Sequence, residues 1–139
     1  MVLMLEVNYL AVLVSAIISM IIGFLWYGPL FGKQWMALMG FKVKDMEKAK
    51  EKGMMTSYLA AFIGALLMAF VLAHVIVAFE ATTILEGIQG GFWVWLGFIV
   101  TTMLGSVLWE GKSIKLFWLN SIHSLVVLAI TGAILAVWR

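Results

Sequence analysis

Four polar side chains within the last long apolar stretch of this sequence have types and spacings that could support chemistry. Asn120, His123, Ser124 and Thr131 follow one another at intervals of three, one and seven residues. These intervals place them on one face of a helix. Amide, imidazole and hydroxyl groups can hydrogen-bond a solute, and an imidazole can also carry a proton. The pattern leaves two readings open, a set of hydrogen bonds between helices or a polar cleft, and in the second Asn120, His123 and Ser124 are the predicted substrate-binding residues.

A metal site is not expected from these residues. The second histidine, His74, lies in a different apolar stretch, at a depth that differs from that of His123 by roughly 14 Å at about 1.5 Å per residue. The sequence has no cysteine, and neither histidine has an acidic residue near it within its stretch. Two histidines at different depths do not form a coordination sphere. We therefore predict no metal and no cofactor.

Catalysis is not expected either. Ser121 and Ser124 are close to His123 in sequence, but a hydrolase also needs an orienting group and an oxyanion donor, and no residue nearby supplies them. The sequence has no glycine-rich phosphate loop of the usual form, and its lysines lack the arginine and aromatic partners typical of nucleic-acid binding. We predict that the protein is not an enzyme and does not bind nucleic acid.

The composition is that of a protein surrounded by lipid. Of 139 residues, 65% are hydrophobic and only 12% are charged, with a mean hydropathy of +1.12. A soluble domain uses about 25% charged residues to cover its surface. Half that share leaves most of the outer surface apolar, which favours the lipid bilayer as the partner of this chain.

Four stretches are long enough to cross a bilayer as helices, which needs about 20 apolar residues each. Only helices or closed barrels satisfy the backbone in lipid, so an all-α fold is predicted: one domain, 1–139, with four transmembrane helices in an antiparallel bundle. The first stretch lacks a basic leading region and a small-residue cleavage site, so we interpret it as a retained span. The predicted spans are residues 7–27, 57–79, 87–109 and 114–138.

The lysines predict the orientation. All eight fall between the first and second spans or between the third and fourth, and lysine-rich connections stay in the cytoplasm. Both termini are then extracytoplasmic, including Arg139, and we expect a multi-pass protein of the cell membrane, in bacteria the inner membrane. The segment of about 32–55 is cytoplasmic, with Asp45 as the predicted N-cap of a short exposed helix over 46–52.

Aromatic residues mark the point where the first span ends. Trp26, Tyr27 and Trp35 are amphipathic rings that favour the headgroup level. Pro29 lacks an amide hydrogen and interrupts a helix. These four residues are the predicted interface anchors that set the register of the chain in the membrane.

Each span also carries small residues four positions apart, which allow helices to approach closely in lipid. The clearest ladder is in the second span, at Ala61, Ala65, Ala69 and Ala73. One reading is that this ladder packs the monomer. The other is that part of it faces outward and joins subunits, and because four short helices enclose little interior, we expect a homo-oligomer.

Three segments resemble a known family. They are Val7-Asn8-Tyr9-Leu10-Ala11-Val12, Trp26-Tyr27-Gly28-Pro29-Leu30-Phe31-Gly32-Lys33 with Trp35 and Gly40, and Lys115-Leu116-Phe117-Trp118-Leu119-Asn120. The chain resembles the uncharacterised integral-membrane family called domain of unknown function 1761. The resemblance implies a small four-helix membrane protein without an assigned activity. Asn120 matches a position of the family pattern, whereas His123 stands where members tend to have tyrosine.

Two functions are compatible with these patterns. The favoured hypothesis is a small oligomeric channel or transporter-like protein that passes a solute or ion through a polar cleft. The alternative is a structural or accessory subunit that packs against another membrane protein and transports nothing. A cleft that reaches His123 favours the first, and a fully packed interior with an exposed alanine groove favours the second.

Overall fold

The computed structural model describes residues 6–138, and their regular structure is entirely helical. Four helices are long and apolar enough to cross a membrane. They are span one (Tyr9–Leu30), span two (Met55–Ala78), span three (Ile84–Leu108) and span four (Ile114–Val137). This confirms the predicted all-α class with four candidate spans and indicates a multi-pass membrane protein. The N-terminal amine and Arg139, both predicted on the outer face, lie outside the described residues.

The spans are built from shorter elements. Span one consists of α1 (Tyr9–Leu25) and a π-helical turn (Trp26–Leu30), and span three consists of α5 (Ile84–Val94), a π-helical segment (Trp95–Val100) and α6 (Thr101–Leu108). Spans two and four are the single helices α4 and α7. Two short helices, α2 (Gly32–Met39) and α3 (Val43–Glu51), lie between spans one and two. We call the end of the spans that carries the lysine-bearing connections the lysine end.

Local capping sets where the helices begin. The Asn8 side-chain oxygen accepts hydrogen bonds from the backbone N–H groups of Leu10 and Ala11, at 3.0 and 3.2 Å. At span three, Thr83 accepts from the Glu86 backbone N–H at 3.1 Å, and the Glu86 carboxylate accepts from the Thr83 backbone N–H at 3.2 Å. This reciprocal capping box starts the helix at Ile84, so Glu86 lies in its first turn.

One capping prediction is wrong in detail. The helix predicted over 46–52 begins at Val43, and Asp45 is its third residue. The Asp45 carboxylate accepts a hydrogen bond from the backbone N–H of Lys42 at 2.8 Å. The side chain therefore satisfies an amide that precedes the helix, because a carboxylate can reach back one turn as well as forward.

Spans three and four pack with their backbones in close contact. A methyl group on Gly87 would collide with the carbonyl oxygen of Gly132, and one on Gly91 with that of Leu128. The contacts run in opposite directions along the two helices. Glycine is needed at these positions because any side chain would separate the backbones, as in other close helix pairs in membranes.

Span one packs against span two, and both contact span four. Tyr9 stacks on Phe70 at one end of the pair, with ring centroids 6.3 Å apart, and Phe24 meets Tyr58 edge-on at 5.5 Å at the other. The core lies in the half of the molecule away from the lysine end. Its buried residues include Ala11, Val12, Ala69, Leu72, Ala73, Ile76, Leu128 and Leu135.

The alanine ladder of α4 is divided between two environments. Ala69 and Ala73 are buried in the core, Ala65 is half-buried and Ala61 is exposed. The half of the ladder away from the lysine end therefore packs the monomer, because these small side chains let spans one and four approach α4. The homo-oligomer stays a prediction.

Candidate functional site

The π-helical turn directs two aromatic side chains from span one onto span four. Pro29 has no N–H to donate, and the Phe31 N–H instead reaches back five residues to the Trp26 carbonyl oxygen, at 2.8 Å. This π-type bond inserts an extra residue into the turn. Trp26 donates its indole N–H to the Leu119 carbonyl at 3.2 Å, and the Tyr27 hydroxyl donates to the Asn120 side-chain oxygen at 2.7 Å.

The second π-helical segment holds span four from the other side. Its first residue, Trp95, is buried and donates its indole N–H to the Ser121 carbonyl at 2.6 Å. Three consecutive residues of span four, 119–121, thus receive hydrogen bonds from aromatic side chains of two other spans. This fixes the position of the adjoining turn, which contains His123 and Ser124.

His123 lies against span one, beside the rings of Trp26 and Tyr27. Its ring centroid is 4.9 Å from that of Tyr27 and 5.9 Å from that of Trp26. Its Nε2 atom is buried, and no hydrogen-bond partner for it lies among residues 6–138. A methyl group on Gly23 would lie 3.8 Å from this nitrogen, so the glycine of span one faces it without a side chain. The imidazole has room beside it and a free hydrogen-bonding atom.

Three cavities follow one another along this part of span four. The central cleft, of about 370 Å³, lies between spans one and two and is bounded on span four by His123 and Ser124. A second cavity, of about 520 Å³, is lined by Tyr27, Trp35, Met103, Asn120, His123 and Ser124. A third, of about 220 Å³, shares Asn120 and Met103 with the second and reaches Lys112 at the lysine end.

The hydrophobic core lies between these cavities and the opposite face of the molecule. Ser15 and Thr131 are buried within it. A separate cavity of about 590 Å³ lies at the far end, beside Glu6, Asn8 and Trp138. The cavities lined by His123 and Asn120 lie toward the lysine end and between spans one and two.

The four polar residues that the spacing places on one face of span four do not share one environment. Asn120, His123 and Ser124 line the cavities, whereas Thr131 lies in the core and donates to the Val127 carbonyl at 2.7 Å. The Ser124 hydroxyl donates to the Asn120 backbone carbonyl at 3.3 Å. Ser121 faces away from the cavities, fully buried. Neither serine hydroxyl is hydrogen-bonded to the imidazole of His123.

The second histidine is not part of this site. The Nδ1 atom of His74 lies 2.7 Å from the Phe70 carbonyl, one turn earlier on the same helix, and the two rings meet edge-on at 4.6 Å. Among residues 6–138 the structure has no group of three or more His, Asp or Glu side chains placed to hold a metal ion.

The predicted anchors have partners that the sequence reasoning missed. Trp26, Tyr27 and Trp35 are half-buried, and Pro29 is exposed in the π-helical turn. Tyr27 and Trp35 line the second cavity, and Trp26 lies against His123. Trp95 was not predicted, and no local sequence signal identifies it, because its role depends on how span three is seated against span four. The proline in an otherwise helical stretch was the available signal for the first π-helical turn.

A family model described as "Protein of unknown function (DUF1761)" matches residues 10–136. No curated protein and no solved structure matches the chain.

Proposed function

Because this chain belongs to the DUF1761 family of proteins of unknown function, we propose its function from its own residues. It is a non-catalytic membrane protein that binds a small solute beside His123 and passes it toward the cytoplasm. The four spans form an antiparallel bundle in the cell membrane, the bacterial inner membrane where the source is bacterial. The lysine end is cytoplasmic and both termini are extracytoplasmic.

One observation carries the proposal: the buried Nε2 of His123 has no partner in residues 6–138, and two cavities meet at its ring. Most buried polar side-chain atoms in proteins are hydrogen-bonded, and an unpaired one costs about 1–3 kcal/mol. A ligand with a hydrogen-bonding group would remove that cost on binding. Ionisable residues inside membrane spans are for this reason the first candidates for function.

The neighbouring polar groups have separate roles in this proposal. The side-chain oxygen of Asn120 is occupied by Tyr27, which leaves its amide N–H groups to donate to a solute in the second cavity. The Ser124 hydroxyl keeps an acceptor lone pair while it donates to the backbone. A solute that leaves His123 would therefore meet a donor at Asn120 before it reaches Lys112.

Cysteine labelling tests the route. The native chain has no cysteine, so Asn120→Cys, Ser124→Cys and Ser121→Cys each introduce a unique thiol. We expect a negatively charged, impermeant methanethiosulfonate to label the first two from the cytoplasmic side of membrane vesicles. Ser121→Cys is the matched control, since Ser121 is 0% exposed and does not line any of the three cavities. Labelling of Ser121→Cys alone, or of none of the three, would refute the route.

Flux through reconstituted vesicles tests passage itself. We expect the protein to accelerate the entry of at least one of glycerol, urea, potassium ions and protons over protein-free vesicles. His123→Leu should lower that rate, because it removes the hydrogen-bonding imidazole and puts an apolar side chain in its place. Gly97→Leu is the control, since no atom lies within 4 Å of a methyl group placed there. If all four probes move no faster than through lipid alone, passage of small polar solutes and ions is refuted and the accessory-subunit alternative takes its place.

A further inference from the structure

The central cleft is open to the bilayer. Its walls are the facing sides of spans one and two, and Phe24, Tyr58, Ala61 and Gly64 are exposed where they border it. In a membrane these residues meet lipid instead of water. A molecule dissolved in the hydrocarbon layer could thus enter sideways between the two spans, without passing through the lysine end.

The lining of the cleft has a definite chemistry. Three aromatic rings (Phe24, Tyr27 and Tyr58) and two methionines (Met20 and Met68) surround a floor of small residues. Aromatic rings pack favourably edge-on against other rings, and methionine sulfur makes favourable contacts with ring edges. The volume of about 370 Å³ is within the usual range for small-molecule sites, about 300–1,000 Å³.

Polar atoms in the cleft are few, and one of them is free. Ser19 and Ser124 direct their hydroxyl hydrogens to backbone carbonyls of their own helices, at 2.8 and 3.3 Å. Nε2 of His123 has no such partner among the described residues. The hydroxyls of Tyr27 and Tyr58 bond Asn120 and Met54. The cleft therefore has apolar and aromatic walls, and directly behind its lining, near the middle of span four, lies one buried hydrogen-bonding atom without a partner among residues 6–138.

We infer that the central cleft binds a small aromatic amphiphile, of the phenol or indole class, which enters from the bilayer and hydrogen-bonds to His123 Nε2. This inference rests on the proposed function and names its ligand class. The acyl chain of a membrane phospholipid carries no hydrogen-bonding group, so it would leave His123 Nε2 without a partner. A phenol or indole carries a hydroxyl or N–H group on the ring that packs against the aromatic lining of the cleft.

A pair of probes separates the hydrogen bond from apolar binding. 4-Propylphenol and propylbenzene differ by one hydroxyl group, and their affinities can be measured by calorimetric titration of the purified protein in one detergent, after subtraction of partitioning into empty micelles. We expect the phenol to bind about fivefold more tightly than the hydrocarbon, the advantage typical of one hydrogen bond. In His123→Phe that ratio should fall to about one.

A second variant tests the location of the site. Gly64→Leu should weaken binding of both probes at least tenfold, because Gly64 lines the cleft and no atom lies within 4 Å of a methyl group placed there, which leaves space for a leucine to fill part of the cleft. Gly97→Leu makes the same change at an equally open position of span three, away from the cleft, and should bind both probes as the wild type does.

The outcomes distinguish this inference from the proposed function. Equal affinities for the two probes in the wild type, or a ratio that His123→Phe leaves unchanged, would overturn the ligand class. Unchanged binding in Gly64→Leu would overturn the location. If the probes bind as expected but Asn120→Cys and Ser124→Cys resist labelling, the lateral site stands and the route to the cytoplasm fails.

Discussion

The contact between spans three and four gives the sharpest test of the packing, through the variant Gly91→Ala. The added methyl carbon would lie 2.7 Å from the carbonyl carbon of Leu128 and closer still to its oxygen. Carbon atoms in contact prefer a separation of about 3.5–4.0 Å. The two backbones must therefore separate by about 1 Å at this point.

The size of the effect follows from that displacement. A gap of 0.5–1 Å forfeits about a quarter to a half of the dispersion energy of each contact it opens, and overpacking of this kind usually costs about 1–3 kcal/mol. Alanine is favoured over glycine within a helix by about 1 kcal/mol, which offsets part of the loss. We expect Gly91→Ala to lower the free energy of unfolding by up to about 2 kcal/mol relative to the wild type, and by about 1–3 kcal/mol relative to a glycine-to-alanine change that makes no collision.

The assay is reversible unfolding in mixed micelles, with tryptophan fluorescence followed against the fraction of denaturing detergent. The matched control is Gly97→Ala, six residues further along the same span, where no atom lies within 4 Å of the added methyl group. This control should unfold at the wild-type midpoint or at a slightly higher detergent fraction. A Gly91→Ala variant as stable as its Gly97→Ala counterpart would show that the backbones are not in contact at Leu128.

Three further substitutions test single hydrogen bonds by the same assay. Trp95→Phe removes the indole N–H that bonds the Ser121 carbonyl and should lower the free energy of unfolding by about 1 kcal/mol. An unchanged unfolding midpoint would show that Trp95 does not bond span four. Tyr27→Phe removes the hydroxyl that bonds the Asn120 side-chain oxygen and should lower the free energy of unfolding by about 1 kcal/mol as well. The same change should increase the labelling of a cysteine introduced at position 124. Reduced labelling would contradict the bond between Tyr27 and Asn120. Asn8→Ala removes the cap of span one and should cost about 0.5–2 kcal/mol, whereas Asn8→Ser, which keeps a capping oxygen, should recover most of the loss.

The candidate site was predicted in part. Asn120, His123 and Ser124 share a helical face by their spacing alone, and all three line the cavities of the structure. Thr131 belongs to the same face by spacing but lies in the core. Helical periodicity shows on which side of a helix a residue lies. It does not show whether a neighbouring helix or a cavity lies opposite that residue.

Trp26 and Tyr27 show a second limit. Their types are suited to the headgroup level, and the sequence predicts no partner for them. In the structure the π-helical turn around Pro29 directs both side chains to span four, where they bond residues that lie 93 positions further along the chain. The π-type hydrogen bond of the turn changes the direction in which these two side chains point. Which residues they then bond depends on which helices are neighbours in the folded chain.

The sequence by itself determined the helical class and the four spans, because the backbone in lipid must satisfy its own hydrogen bonds and each span needs a minimum apolar length. The tertiary structure decided which small residues are contacts and which border a cleft. Gly87, Gly91 and Gly132 meet backbone to backbone, whereas Gly64 and Gly97 meet nothing within 4 Å. The physical reason is that a glycine marks a close approach only where another helix lies opposite it, and that depends on the arrangement of all four spans.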